Sequence, residues 1–229
     1  KGATGCNKWA ELLHIFSKRQ FGNTLEYAMV LFLTGLACAI GARVGIFNVG
    51  GEGQLFLGAM ASAIVGARLT GVSPWIAVPL CLLAAMLAGG FYAWVPAVLK
   101  VKMKVNEVIT TIMLNSAAIF FCSYLTNGPL KTMEKGVSAG TDKVDPAFMF
   151  GRVIRLSSLT ESIYLTIIIA LLVWYVMKKT SVGFEMKLTG QNPRFAHYIG
   201  IKADKLTIGS MVVSGAICGL VGMFEIFGL

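Results

Sequence analysis

Charge is what this chain has least of. Only 14% of its 229 residues are Asp, Glu, Lys or Arg, against 56% hydrophobic, and the mean hydropathy is +0.73. That leaves too little polar surface to cover a soluble globule of this length. Histidine occurs twice, at His14 and His197, each far from the other and from any cysteine. Of the five cysteines, Cys38, Cys81, Cys122 and Cys218 stand singly within apolar runs, without metal-ligand or disulfide-framework spacing. They read as small packing residues, and no metal site follows. No Ser/His/Asp set, H-E-x-x-H or pair of acids lies within an apolar run, so a membrane-embedded enzyme lacks its chemistry. The phosphate loop G-x-x-x-x-G-K-[ST] is also missing, so any ATP would be used by another polypeptide. A secretory leader does not describe Lys1 to Asn23, which are polar and mixed. The chain starts without Met and stops inside an apolar run, and reads as an incomplete copy of a longer protein.

What is present is a series of apolar runs near the twenty residues that cross a bilayer. They are Leu25 to Ala42, Pro74 to Leu99, Val105 to Thr126, Ser162 to Met177 and Leu206 to the end. Leu55 to Gly66 is shorter, either half of a broken span or a crossing that begins within Gly50 to Gln54. The fold class is all-α, a polytopic transmembrane bundle. Small residues four apart, Gly41 and Gly45, Gly58 with Ser62 and Gly66, Gly215 and Gly219, predict close helix packing. Trp75, Tyr92 and Trp94 are placed toward the ends of one run, as an aromatic belt would be.

The net charge of +9 sits in the segments between runs and lacks aromatic interleaving, which excludes a nucleic-acid surface. If each run crosses once, Arg43, Lys100, Lys102, Lys104, Lys178, Lys179, Lys187, Arg194, Lys202 and Lys205 share one side. Lys1, Lys8, Lys18, Arg19, Arg68, Lys131, Lys135, Lys143, Arg152 and Arg155 share the other. Ten against ten leaves orientation open, although the first set crowds into shorter loops, as on a cytoplasmic side.

Three stretches carry polar chemistry. In "FNVGGEGQ", glycines free the backbone while Asn48, Glu52 and Gln54 offer hydrogen bonds. This is either a broken helix lining a substrate path, tolerable at membrane depth because it faces a cavity, or a tight surface loop with Glu52 in water. In "VNEVITTIMLN", Glu107, Thr111 and Asn115 recur every fourth residue and form one polar stripe beside Thr110. The stripe faces either a water-filled path or neighbouring helices, and Glu107 also suits a helix N-terminus. In the polar segment 180–205, Asn192 caps, Pro193 opens and Gly200 closes a short helix. It presents Phe195, Tyr198 and Ile199 beside Arg194 and His197, and is too short to span.

These stretches, together with "GPLK" at Gly128 to Lys131, "GFEMKLTGQNPRFAHYIGI" and "SGAICGLVG", resemble the permease subunit of bacterial ABC importers of the nucleoside and simple-sugar class, within the branched-chain amino acid and ribose-type permease superfamily. They run in the family's order from about Phe47 to the end; the outer segment Asn127 to Thr160 matches poorly after Lys131. The resemblance implies one transmembrane permease domain over residues 1–229, incomplete at both ends, in the bacterial plasma membrane, with a broken helix at the Gly-rich motif. It implies a second permease subunit, the same or homologous, ATPase subunits that use the ATP, and an extracellular substrate-binding lipoprotein, all around a chain embedded in lipid. Asn48, Glu52 and Gln54 then lie near the substrate path, with Glu107, Thr111 and Asn115 expected beside them. Asn192, Pro193, Arg194, Phe195, Tyr198 and Ile199 form the coupling helix that docks on the ATPase, making segment 180–205 cytoplasmic. Nucleosides are the expected cargo and alternating access the mechanism. The alternatives are a ribose-like sugar, or an ion-coupled secondary transporter with Glu52 and Glu107 as ion carriers.

Overall fold

The computed structural model describes residues 18–132, 141, 144–153 and 159–228. Lys1, Lys8, His14, Lys135, Lys143 and Arg155 of the sequence analysis lie outside them. The described chain is helical: α1 (Lys18–Arg43), α2 (Gly51–Arg68), α3 (Pro74–Met103), α4 (Glu107–Asn127), α5 (Ser162–Lys179), α6 (Ser181–Gln191), α7 (Pro193–Tyr198) and α8 (Ala203–Phe227), with a 3-10 turn at Pro146–Phe148. By length and composition α1, α3, α4, α5 and α8 can each cross a membrane. Large apolar side chains such as Leu31, Leu87, Phe120 and Leu171 are exposed on their outer faces, the inverse of a soluble helix and the pattern lipid requires.

Helix α8 is the axis, packed against α3, α2 and α1. Its contact surface is nearly bare backbone. Gly215 and Gly219 lie against Gly89 and Ala85 of α3, Gly219 also meets Gly58 of α2, and Gly222 meets Leu55 and Ala59. Without a hydrophobic drive between helices in lipid, this close approach supplies the dispersion contacts that hold the bundle. Pro96, inside α3, is fully buried.

Two apolar clusters mark the ends of the bundle. Ile46, Ala97 and Met211 meet at one end, while Ala77, Phe148 and Phe227 meet at the other. The chain therefore alternates direction. The C-termini of α1, α3 and α5, the N-termini of α2, α4 and α8, and the short helices α6 and α7 all gather at the first end. This groups the side chains of Arg43, Lys100, Lys102 and Lys104 with those of Lys178 to Lys205, as the one-crossing-per-run reading expects.

Two sequence expectations change. Gly45 is not half of a packing stripe: its φ is +82°, and it ends α1, with Ile46 N–H donating to Gly41 O (3.1 Å) and Gly45 N–H to Ala42 O (3.1 Å). This paired closure needs a left-handed residue, which glycine supplies without a Cβ penalty. Tyr92 is not in an aromatic belt either, because its hydroxyl donates to Leu114 O of α4 at 2.6 Å. The hydrogen bond ties two spans and places Tyr92 well inside α3.

Candidate functional site

The break between α1 and α2 is extended backbone. From Val44 to Gly50 burial alternates: Val44, Ile46, Asn48 and Gly50 turn inward, Phe47 and Val49 outward. Helix α2 then starts at Gly51 with Gly50 as its N-cap residue, which has no side chain to cap with. The missing acceptor comes from another helix. Asn115 of α4 accepts from Gly53 N–H through Oδ1 (2.9 Å), and its Nδ2 donates to Val49 O (3.0 Å). One amide thus satisfies an orphan donor of the helix start and a carbonyl of the extended segment. Gly53 permits the approach, since a Cβ there would lie 3.0 Å from the Asn115 Cα.

Behind this cap sits a buried amide pair. Asn48 Nδ2 donates to Gln54 Oε1 (3.0 Å), and Gln54 Nε2 donates back to Asn48 Oδ1 (3.1 Å). Asn48 also donates to Ser214 Oγ of α8 (2.8 Å) and accepts from Gly50 N–H (3.0 Å). Asn48, Gln54 and Ser214 are 6%, 1% and 0% exposed, so this knot is dry, and among the described residues no buried side-chain polar atom lacks a partner. It ties the start of α2 to α8 on one side and to α4 on the other. Asn115 lies eight residues into α4, about 12 Å along its axis at 1.5 Å per residue, so the start of α2 is set inward from the end of the bundle.

The predicted residues divide into groups. Asn48 and Gln54 come together in the knot, Asn115 caps α2 next to it, and Thr111 packs beside it on Gly50 while its hydroxyl donates to Glu107 O (2.8 Å). Glu107 is at the start of α4, where Asn106 caps by accepting from Val108 N–H (2.9 Å). Its carboxylate is paired with Lys100 of α3 at 2.7 Å, which closes the α3–α4 turn and matches the helix-terminus alternative. Glu52 stands apart, exposed in the first turn of α2. By helical spacing it shares a face with Phe56, Ala59 and Ala63.

The short helix is as its residues specify. Asn192 Oδ1 accepts from Phe195 N–H (3.0 Å), Pro193 opens the helix, and Gly200 (φ +86°) closes it with the same paired bonds that end α1. Ala196 alone is buried in α7, while Phe195, Tyr198 and Ile199 are 50%, 90% and 51% exposed, and Arg194 is exposed beside them. Apolar side chains left open next to a cation on the polar end of a bundle form a patch suited to a protein partner. Sequence reading did not separate α6 within segment 180–205. Thr180, whose Oγ1 accepts from Gly183 N–H (3.4 Å), is the capping signal that marks it. Gly190 of α6 abuts the Arg43 carbonyl and Gly45, backbone on backbone, where α1 gives way to the extended segment.

Replacing Asn115 with Ala is expected to lower the thermal unfolding midpoint in detergent by the equivalent of about 1 kcal/mol, the worth of one helix cap. Asn115→Asp keeps the acceptor for Gly53 N–H and loses the donor to Val49 O, so its midpoint should fall between the two.

Apolar spans wound around a dry polar knot, with a short amphipathic helix presented at one end, make this a multi-pass integral membrane protein. The chain belongs to the family described as "Branched-chain amino acid transport system / permease component", whose model matches residues 20–229. It is 33% identical over 208 residues to the guanosine ABC transporter permease protein NupP of Bacillus subtilis, covering 90% of this chain and 60% of that one. It is 35% identical over 219 residues to the nucleoside ABC transporter permease protein NupB of Lactococcus lactis, covering 93% and 60%. The glucose ABC transporter permease protein TsgB13 of Haloferax volcanii is 35% identical over 228 residues, covering 91% and 58%. The chain thus spans about three fifths of the length of these relatives. No solved structure matches it significantly.

Proposed function

We propose that this chain belongs to the membrane permease of an ATP-driven importer that carries nucleosides inward by alternating access. The observation that carries this reading is the likeness to two permeases named for guanosine and nucleosides, each about a third identical over nine tenths of the chain. Two permease subunits embedded in lipid would work with two ATPase subunits and an extracellular binding lipoprotein. The chain has no phosphate loop, so ATP is hydrolysed by the partner subunits and this subunit does no enzymatic chemistry. The exposed face of α7 is the surface that meets the ATPase, which makes its end of the bundle cytoplasmic. The knot at Asn48 and Gln54, with Asn115 and Thr111 beside it and Glu52 and Glu107 at the nearby starts of α2 and α4, is where the resulting motion would reach the substrate path.

A sugar cargo is the second reading, favoured by the similarity to a permease named for glucose. The test is uptake into vesicles containing the full-length protein with its ATPase and binding protein, with labelled guanosine competing against ribose and glucose. Nucleoside uptake that needs ATP and every partner is the expected result. Preference for a sugar would favour the second reading, and uptake by the permease alone under an ion gradient would overturn the energy source.

A further inference from the structure

Above their contact at Gly53, α2 and α4 leave between them a cavity of about 590 Å³. Sites for small ligands fall within roughly 300–1,000 Å³. Phe56 and Ala59 of α2, Cys122, Ser123 and Thr126 of α4, and Glu225 of α8 line it. Most of this wall is apolar, yet it contains a carboxylate. Glu225 is exposed to the cavity side of α8 and has no hydrogen bond or ion pair among the described residues. Phe224 and Phe227 beside it are buried in the core, so the acid stands among apolar side chains, two residues from the end of α8. An exposed carboxylate on an otherwise apolar wall is the group with which a polar ligand entering the cavity would pair.

The other polar groups narrow its chemistry. The Thr126 hydroxyl spends its proton on the carbonyls of Cys122 and Ser123, both at 3.1 Å, which leaves its oxygen as an acceptor facing the cavity. Phe56, 40% exposed, offers an aromatic face one helical turn beyond Glu52. An acceptor-only carboxylate, a hydroxyl oxygen and an aromatic plane suit a neutral ligand with adjacent hydroxyl donors and a flat ring carrying N–H groups.

We propose that the α2–α4 crevice binds the ribonucleoside itself, with the two oxygens of Glu225 accepting from the 2′- and 3′-hydroxyls while the base lies against Phe56. This rests on the nucleoside-import reading and adds to it a site and a source of selectivity. Two hydrogen bonds to an ionised acceptor are the strong kind, and a nucleoside lacking both hydroxyls leaves the carboxylate unpaired.

The test compares the wild type, Glu225→Gln and Phe56→Leu in vesicles holding the full-length protein, its ATPase and its binding protein, measuring ATP-driven uptake of guanosine and 2′,3′-dideoxyguanosine. Glu225→Gln should reduce guanosine uptake roughly tenfold or more, the worth of a hydrogen bond to a charged group, and leave dideoxyguanosine uptake within about twofold. Phe56→Leu should lower uptake of both alike, because it acts on the base. Unchanged guanosine uptake by Glu225→Gln overturns the site. So does an equal loss of both substrates, which would assign Glu225 to assembly with another subunit. If the wild type moves neither compound with ATP, the nucleoside reading itself fails and the site falls with it, a result distinct from a wild type that transports and a variant that does not differ.

Discussion

Gly219→Val should prevent the bundle from assembling. A Cβ at Gly219 would overlap the Ala85 carbonyl oxygen of α3 and lie 3.2 Å from the Gly89 Cα. The obstacles are backbone atoms of α3, which cannot swing aside as a flexible side chain can. Overpacking a filled core costs roughly 1–3 kcal/mol when side chains repack, and more where backbones must separate. The same seam continues at Gly222, where an added Cβ would meet the Leu55 carbonyl and come within 2.8 Å of Ala59 N. The measurement is the yield of monodisperse full-length protein in detergent and its unfolding midpoint. Gly209 is on the same helix with nothing within 4 Å of an added Cβ. Gly209→Ala should therefore fold normally and gain up to about 1 kcal/mol from helix propensity. Equal behaviour of the two variants would mean that the seam does not hold the spans together.

Phe195→Asp and Tyr198→Asp should each abolish most ATP-driven uptake while leaving the protein folded. Neither side chain contributes to the core, at 50% and 90% exposure, so the unfolding midpoint should change by less than about 0.5 kcal/mol, as at ordinary surface sites. If these residues enter a groove of the ATPase, an aspartate there buries an unpaired charge. The loss of an aromatic anchor at an interface costs about 2 kcal/mol or more, roughly thirtyfold in affinity. Co-purification of the ATPase with each variant, read beside uptake, separates failed docking from failed folding. Normal uptake by both variants would remove α7 from the ATPase contact.

What could be read in the sequence was local. Asn192, Pro193 and Gly200 fix the ends of α7 within nine residues, and each signal acts on its own neighbours. The glycines of "NVGGEGQ" likewise announced a helix interruption, and the structure settles its form as an extended segment followed by an unbroken α2. The knot was half legible. The residue types of Asn48 and Gln54 promised hydrogen bonds, but the partner that caps α2 is 62 positions away, and no spacing rule connects Asn115 to Gly53. Periodicity also could not tell Gly45, which ends a helix in the left-handed region, from Gly215 and Gly219, which pack one. Glu225 passed unremarked within an apolar run because its significance depends on the cavity beside it.

The contact of Gly190 with Arg43 and Gly45 has a mechanical meaning. Two residues separate Gly190 from the start of α7, and two separate Gly45 from Asn48. Because main chain presses on main chain there, no rotamer can absorb a small displacement before it is passed on. A push on the short helix would reach the polar knot through a stiff linkage. That linkage would survive most side-chain substitutions around it and be broken by giving Gly190 a Cβ, which would overlap the Arg43 carbonyl oxygen.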